Sequence, residues 1–537
     1  MFYRGYPILA SLARPESLPS PRAGGAAKGP AGEAARLALS RQLGDMPLSQ
    51  RLQDPAAYRL MQRARRQSLE ALIQAAPDEA MLRRAVDILC MLCEESCWSE
   101  NPGGAPFDDD AHPEIDLQCA ETALLLGWTS RAFGDQLSSR VAGKLLYEVR
   151  RRVFAPFLAH ADYPFMRGRG RRPLTILSDI LLTAILLESG EQRRASVLKQ
   201  ALRLLDQAIA ARQERVEPLA DAAAETAAIT DLAALLRRLT RGELDLTPIY
   251  PTPEWLDQLV YPWLEGEYFL DPAAGSLTPA LSGEALFRVG LAVGDDALTA
   301  LGAALHRARR VPSDSLTGRL LDASCQPMLE AEAGRPPRIK RAATPRNRVM
   351  VSRFCGMTFA MHTGGGRGNA GGIALFSGGK PVLVEAEGLC SLPLIGGRPQ
   401  LDTPDLACEA DFDPREERES MSVDLTAAWP AGLLRSCQRT AMIRRADAAL
   451  RLVDAFDLQE PAHTVFGLGG GDEAEGDDGG LRLGDIDFGW EGDLKLDVAP
   501  LSRRFPDAAG GDPLHQITLT TPAPVTRAFY TFNFMRQ

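Results

Sequence analysis

No apolar run in this chain approaches the roughly 18–20 residues that span a bilayer. The longest, Ile180 to Leu187, is interrupted by Thr183, and no transmembrane helix is expected. A surplus of basic residues is missing too. Lys and Arg number 60 against 70 Asp and Glu, a formal charge of −10, so nucleic acid is not expected as the main partner. The nine cysteines, an odd number spread from Cys90 to Cys437, lack the density of a disulfide-stapled scaffold, and a reducing cytoplasm is the simpler expectation. Met1–Ala10 is cut by Pro7 and closed by Arg14-Pro15, too short an apolar stretch for a secretory signal.

Familiar site motifs are scarce. Gly364-Gly365-Gly366-Arg367-Gly368 opens no predicted helix, so a tight β-turn suits it better than a phosphate loop. The acidic, glycine-rich stretch Gly469–Gly480 has no EF-hand spacing and reads as a solvated loop. There is no nucleophile-elbow string, and nothing implies a cofactor. Cys90, Cys93 and Cys97 fall on one face of a predicted helix without a partnering His or Cys set, which favours core packing over metal. Asp108-Asp109-Asp110 with His112, Glu114 and Asp116 offers either a paired-carboxylate site or an acidic loop between helices.

What is present is the texture of a large globular chain: 537 residues, 45% hydrophobic and 24% charged, too long for one typical domain. Residues 1–45, rich in Gly, Ala, Pro and Arg, read as a flexible lead-in. From 46 to 335 the pattern is helical. Val197, Leu198, Ala201, Leu202, Leu204, Leu205, Ala208 and Ile209 mark one amphipathic face, similar stretches follow without an intervening strand signal, and Ile176–Leu187 is apolar nearly all round, as in an inner helix. From 345 to 537 short apolar runs alternate with Gly and Asp. Strands are expected at Val349–Val351, Thr358–Met361, Ile373–Phe376, Val382–Val384, Ala449–Val453, Thr464–Leu468, Lys495–Val498, Ile517–Thr520 and Ala528–Phe534, with a hairpin turn at Ser377-Gly378-Gly379. The fold class is therefore α+β and multidomain, an N-terminal all-α domain followed by an antiparallel β-sandwich.

Several strings, in order along both halves, resemble heparinase II/III-like proteins. In the helical half they are Glu94-Glu95-Ser96-Cys97-Trp98, Ile115-Asp116-Leu117, Ala120-Glu121-Thr122-Ala123 with Trp128, and Tyr147-Glu148-Val149-Arg150-Arg151-Arg152. In the second half they are Gly378-Gly379-Lys380-Pro381-Val382-Leu383-Val384, Leu392-Pro393-Leu394-Ile395-Gly396-Gly397 and Asp424-Leu425-Thr426-Ala427-Ala428-Trp429-Pro430. The resemblance implies an α/α toroid before the sandwich, a cleft between them, and β-elimination in a uronic-acid glycan. That reaction requires neutralising the carboxylate, a base at C5 and an acid at the leaving oxygen.

The family's usual asparagine, tyrosine and histidines have no recognisable counterpart here. Arg169 to Ile176 stands where an Asn- and Trp-rich stretch is expected, Glu217 to Glu225 contains no tyrosine, and Gly365-Gly366-Arg367-Gly368-Asn369 replaces the His-Asn-His-Asn-Asp string. The nearest candidates for proton transfer are His362 and Tyr268, although His362 also reads as a satisfied structural histidine. Arg167, Arg169, Arg171 and Arg172 form either an anionic-glycan subsite or a solvated basic loop. By the resemblance, Trp98, Arg367 and Asn369 join them as substrate-binding candidates. Three functional readings follow: a lyase with displaced acid and base, a non-catalytic relative that binds anionic glycan or a protein partner, and a hydrolase on the same helical scaffold.

Overall fold

The computed structural model describes every residue except 14, 20–29, 46–54, 76–77, 101–114, 161, 168–171, 213–216, 272, 274–276, 279–280, 337–339, 345–347, 365–369, 385–390, 404–405, 407, 416, 471–473, 478–479 and 506–511. The described helices are α1 (Tyr6–Leu12), α2 (Pro30–Asp45), α3 (Pro55–Gln74), α4 (Glu79–Glu94), α5 (Leu117–Phe133), α6 (Ser139–Val149), α7 (Ala155–Ala159), α8 (Pro173–Leu187), α9 (Glu191–Arg212), α10 (Leu219–Leu239), α11 (Pro253–Val260), α12 (Gly283–Val293), α13 (Asp296–Ala308) and α14 (Leu316–Ala331). None is long and apolar enough to cross a membrane.

The periodicities explain the layering. Helix α8 is buried continuously from Leu174 to Ile185 because it lies inside, packed on α5, α9 and α10. The predicted stripe of α9, Val197 to Ile209, faces the same core. Local chemistry fixes the helix starts. Asp116, Ser138, Asp295 and Ser315 each accept a hydrogen bond from a first-turn N–H of α5, α6, α13 and α14, satisfying donors that have no partner within the helix.

For its described residues, the flexible lead-in expected at 1–45 is corrected by the structure. Phe2, Leu9, Leu18, Leu39 and Leu43 are buried in the helical core, and the Asp206 carboxylate of α9 accepts from the Met1 amino group and from the Phe2 N–H at 2.8 Å. Burying these side chains offsets the ordering cost that the segment's composition suggested it could not meet.

Strands follow in chain order: β1 (Phe269–Leu270), β2 (Leu277–Thr278), β3 (Arg341–Thr344), β4 (Val349–Phe354), β5 (Met357–His362), β6 (Ile373–Ser377), β7 (Lys380–Val384), β8 (Leu394–Ile395), β9 (Ala410–Pro414) and β10 (Arg418–Asp424). They continue with β11 (Leu434–Arg444), β12 (Ala449–Ala462), β13 (Thr464–Gly470), β14 (Ala474–Asp477), β15 (Gly480–Leu483), β16 (Ile486–Glu491), β17 (Lys495–Phe505), β18 (Asp512–Thr520) and β19 (Val525–Arg536). Every strand expected from the sequence lies within one of these. The turn between β6 and β7 has both Gly378 (φ 56°) and Gly379 (φ 85°) in the left-handed region, the requirement that placed glycines there.

Two further expectations change. A short antiparallel pair, β1 and β2, interrupts the helical half. Part of Gly469–Gly480 is strand rather than loop: Gly469 and Gly470 end β13, and β14 pairs with β15, because backbone ladder bonds form whatever the side-chain charge.

A nine-stranded antiparallel sheet runs β17-β18-β13-β7-β6-β5-β4-β3, with β8 also paired to β13; an eight-stranded sheet runs β14-β15-β16-β19-β12-β11-β10-β9. Facing side chains of both sheets, including Phe359, Met361 and Leu375 from one and Met421, Ile443, Leu452 and Phe532 from the other, form a single core. Strand β5 is buried at every position, so its second face is covered as well. Leu264 and Leu270 of the helical half pack there on Val349, Val351, Ala360, Ala374 and Phe376. Arg353 stacks its guanidinium 5.2 Å from the Trp263 ring centroid and donates to the Trp263 and Leu264 carbonyls, while Thr358 donates to Glu265 at 2.9 Å.

Arg439 ties the two sheets together. From β11 it forms a two-pronged pair with its cross-strand partner Asp454 at 2.7 and 2.6 Å. It also donates to the Gly371 carbonyl and the Ser391 hydroxyl, both at 2.8 Å. Arg439→Met leaves Asp454 buried and unneutralised; a loss of about 3–5 kcal/mol of stability is expected, measured as a lower urea midpoint.

Candidate functional site

At one end of the helical half a cleft of about 620 Å³ opens between α3, the start of α5, the start of α14 and residues 311–314. Its walls carry charges of both signs in close pairs. Arg319 of α14 donates to Glu70 of α3 at 2.9 Å and lies 3.6 Å from Glu121 of α5. Glu121 accepts from the Leu316 N–H at 2.8 Å, where the helix dipole of α14 favours negative charge. Arg66 donates to Glu95 at 2.8 Å and Thr122 at 2.7 Å. Thus Arg66 and Arg319 are oriented by carboxylates and not extended into solvent.

A second carboxyl stands behind Glu121. Asp179, on the inner helix α8, is 1% exposed, and its Oδ2 has no hydrogen-bond partner. Burial pushes its carboxyl well above the usual range, the neighbouring Glu121 charge adds to this, and Arg319 opposes it. Burial likewise raises Glu121 against the pull of Arg319. The cleft therefore presents a carboxyl pair that favours holding a proton, beside one guanidinium. Sequence reading named Glu121 only within a resemblance string and passed over Asp179, Glu70 and Arg319. A signal for Asp179 was present: a lone charge within an otherwise apolar inner helix requires a reason.

Arg172 reaches the edge of this cleft. It occupies the left-handed region (φ 49°) just before α8, donates to Asp221 at 2.8 Å and lies 3.7 Å from Asp314, a lining residue. Arg167 pairs with Asp162 at 2.8 Å on the surface. Arg169, Arg171, Arg367 and Asn369 lie outside the described residues, as do Asp108-Asp109-Asp110, His112 and Glu114. Trp98 is 1% exposed; its indole N–H donates to the Leu92 carbonyl at 2.8 Å and Arg152 covers its ring. It therefore presents no open face to a sugar, because this aromatic serves the core. Cys93 and Cys97 are buried and Cys90 exposed; Cys97 lies beyond the end of α4, and burial pushes the Cys93 thiol up to about 12.

The proposed proton-transfer pair does not converge. His362 is fully buried at the end of β5, opposite Val349, and shares with Ala360 the face turned to the helical half. The Tyr268 ring lies 5.6 Å from that of Phe376, which is opposite Thr358 at the other end of the strand. Thr358 and His362 are separated along β5 by about 13 Å at ~3.3 Å per residue. Residues 309–314 connect this junction to the cleft: Arg309 lies 3.6 Å from Glu267, beside Tyr268, and Asp314 faces Arg172.

No protein-family model matches the chain, and no curated protein is similar to it in sequence. Solved structures do match its shape. A heparinase III superposes with a TM-score of 0.60 at 10% identity, covering 88% of this chain and 76% of that one. The chondroitin AC lyase of Streptomyces coelicolor gives 0.61 at 13% identity, over 100% and 82%. The heparan sulfate lyase HepC of Pedobacter heparinus gives 0.60 at 10% identity, over 99% and 87%. The chain has the fold of these polysaccharide lyases.

Glu225 provides a test of the charged interior. It accepts from the Leu174 N–H at 2.9 Å and lies 3.9 Å from Arg212. Burial raises its carboxyl from 4.5 to about 7 despite Arg212. The folded state then binds this proton more tightly than the unfolded chain, so its contribution is full at low pH and is lost as pH rises from 4.5 to about 7. Glu225→Gln keeps the acceptor and removes the titration; it should remove about 3 kcal/mol of that decline, measured by urea unfolding of both proteins across the interval.

Proposed function

We propose that the chain is a heparinase II/III-like protein, an α/α toroid followed by a β-sandwich, that acts on an anionic, uronic-acid-containing oligosaccharide or polysaccharide by β-elimination. The observation that carries this reading is the extent of the shape match: a chondroitin AC lyase and a heparan sulfate lyase superpose over 99–100% of this chain, through both halves.

In the reaction a base removes the C5 proton, the electron pair forms the C4–C5 double bond, the C4–O bond breaks, and an acid protonates the leaving oxygen. Our reading assigns the acid to Glu121. It lines the cleft, burial favours its protonated form, and Asp179 behind it reinforces that preference. Arg319 and Arg172 then supply positive charge for the uronate, as guanidinium groups do for carboxylates. For the base our reading favours Tyr268 at the sheet junction, which is only partly buried, over His362, which is fully buried. The spread of nine cysteines through a long chain, without the density of a disulfide-stapled scaffold, supports a reducing, cytoplasmic setting.

Incubation with heparin, heparan, chondroitin, hyaluronan and alginate oligomers, followed by ultraviolet absorbance of the conjugated unsaturated product, tests the proposal. A rise with one substrate is expected, slowed about a hundredfold or more in Glu121→Gln. Absence of a rise with all of them overturns the lyase reading. Cleavage without that absorbance identifies a hydrolase instead.

A further inference from the structure

The outer face of the eight-stranded sheet carries a second depression, of about 500 Å³, far in sequence from the helical cleft. Its floor is set by strand register. Asp424, Gln438, Ala455 and Phe529 are successive cross-strand partners on β10, β11, β12 and β19. A parallel row holds Ser436, Asp457 and Arg527. Partners in register project to the same side of a sheet, so these rows form one surface. The first row spans about 14 Å at ~4.8 Å per strand, the length of a short oligosaccharide.

The row is built unevenly. Ala455 at its centre is small, while Phe529 at one end is 65% exposed, and the floor sinks between that ring and Gln438. A phenyl ring left open on the outer face of a sheet is an unusual feature. The polar groups beside it are held in place. Asp457 accepts from Arg435 at 3.2 Å and from Arg527 at 3.0 Å, Asp424 accepts from the Thr426 N–H at 2.9 Å, and the Thr426 hydroxyl accepts from the Cys437 N–H at 2.9 Å. Two carboxylates, Asp424 and Asp457, against one lining guanidinium, Arg527, disfavour a phosphate or an acidic peptide. One ring among hydrogen-bonding groups also lacks the apolar core that a stable protein interface is built around.

The geometry points to a glycan subsite on this face, taking uncharged, hydroxyl-rich sugar residues: the Phe529 ring face meets the C–H edges of a pyranose, while Gln438, Asp424 and Asp457 bond its hydroxyls. The site is separate from the cleft, so the lyase assay does not decide it. The test is calorimetric titration of the whole protein with cellohexaose, xylohexaose and mannohexaose. Binding of at least one is expected, weakened tenfold or more by Phe529→Ala and by Gln438→Ala, and unchanged by Glu121→Gln. No binding of any hexaose, or binding indifferent to Phe529→Ala, overturns the proposal. So does a concentration-dependent dimer of the wild type that Phe529→Ala abolishes, which would assign the face to a second copy of the chain.

Discussion

Strands β4, β5 and β6 of the nine-stranded sheet are apolar on both faces, and this constraint governs how the molecule is assembled. One face is met by the eight-stranded sheet. The other, carrying Val349, Val351, Ala360, Ala374 and Phe376, is met by Leu264 and Leu270 of the helical half. A sheet with two apolar faces is unstable in water until both are covered. Stability of the second half therefore depends on the segment Trp263–Leu270, and the polar bonds of Arg353 and Thr358 at this junction fix its register where apolar contact alone is non-directional. The same contact places residues 309–314 between the junction and the helical cleft, so the geometry of the cleft wall inherits the docking of the two halves.

Within the helical half, the charged cleft is a costly arrangement. Asp179 sits on an otherwise apolar inner helix with an unbonded carboxylate oxygen, and Glu121 beside it shares one guanidinium with Glu70. An apolar residue at position 179 would remove the desolvation cost that raises its carboxyl. Structural economy does not account for it. Compare Arg439 and Asp454, also buried, whose two-pronged pair joins β11 to β12 while Arg439 also bonds Gly371 and Ser391 from the other half of the sandwich. The contrast separates a pair that holds the fold from a pair whose strain is held at a cleft, which is where perturbed carboxyls concentrate when they serve chemistry.

How much of this was legible in the sequence depended on period and on distance. Strands such as Ile373–Phe376 and helices such as α9 were readable because their signal is local. The ladder also contains β10 and β11, whose alternation of Met421, Val423, Ala441 and Ile443 with polar residues is visible in retrospect but was masked by their charge. Residues 1–45 misled because composition reports average polarity, whereas a few positions, Phe2 and Leu9 among them, do the packing. The site was less legible still. Glu70, Glu121, Asp179 and Arg319 come from four helices, and only packing brings them together. Trp98 illustrates the reverse error: a tryptophan in a family-like string invites a sugar-binding role, while its buried indole is bonded to the Leu92 carbonyl.

The pairing of the arginines bears on what the cleft asks of an anionic glycan. Arg66, Arg172 and Arg319 are each already within bonding distance of a carboxylate, so a uronate gains little by simple addition of charge. It must displace a resident carboxylate or bind where one has taken a proton. Glu121 and Asp179 provide the second route, because burial already favours their protonated forms. On the proposed reading, a proton on Glu121 leaves Arg319 with Glu70 as its one acidic neighbour and removes the negative charge that an incoming carboxylate would meet beside it. If the cleft acts as proposed, binding and proton supply become one event: the group whose neutralisation admits the substrate is the group that holds a proton beside it.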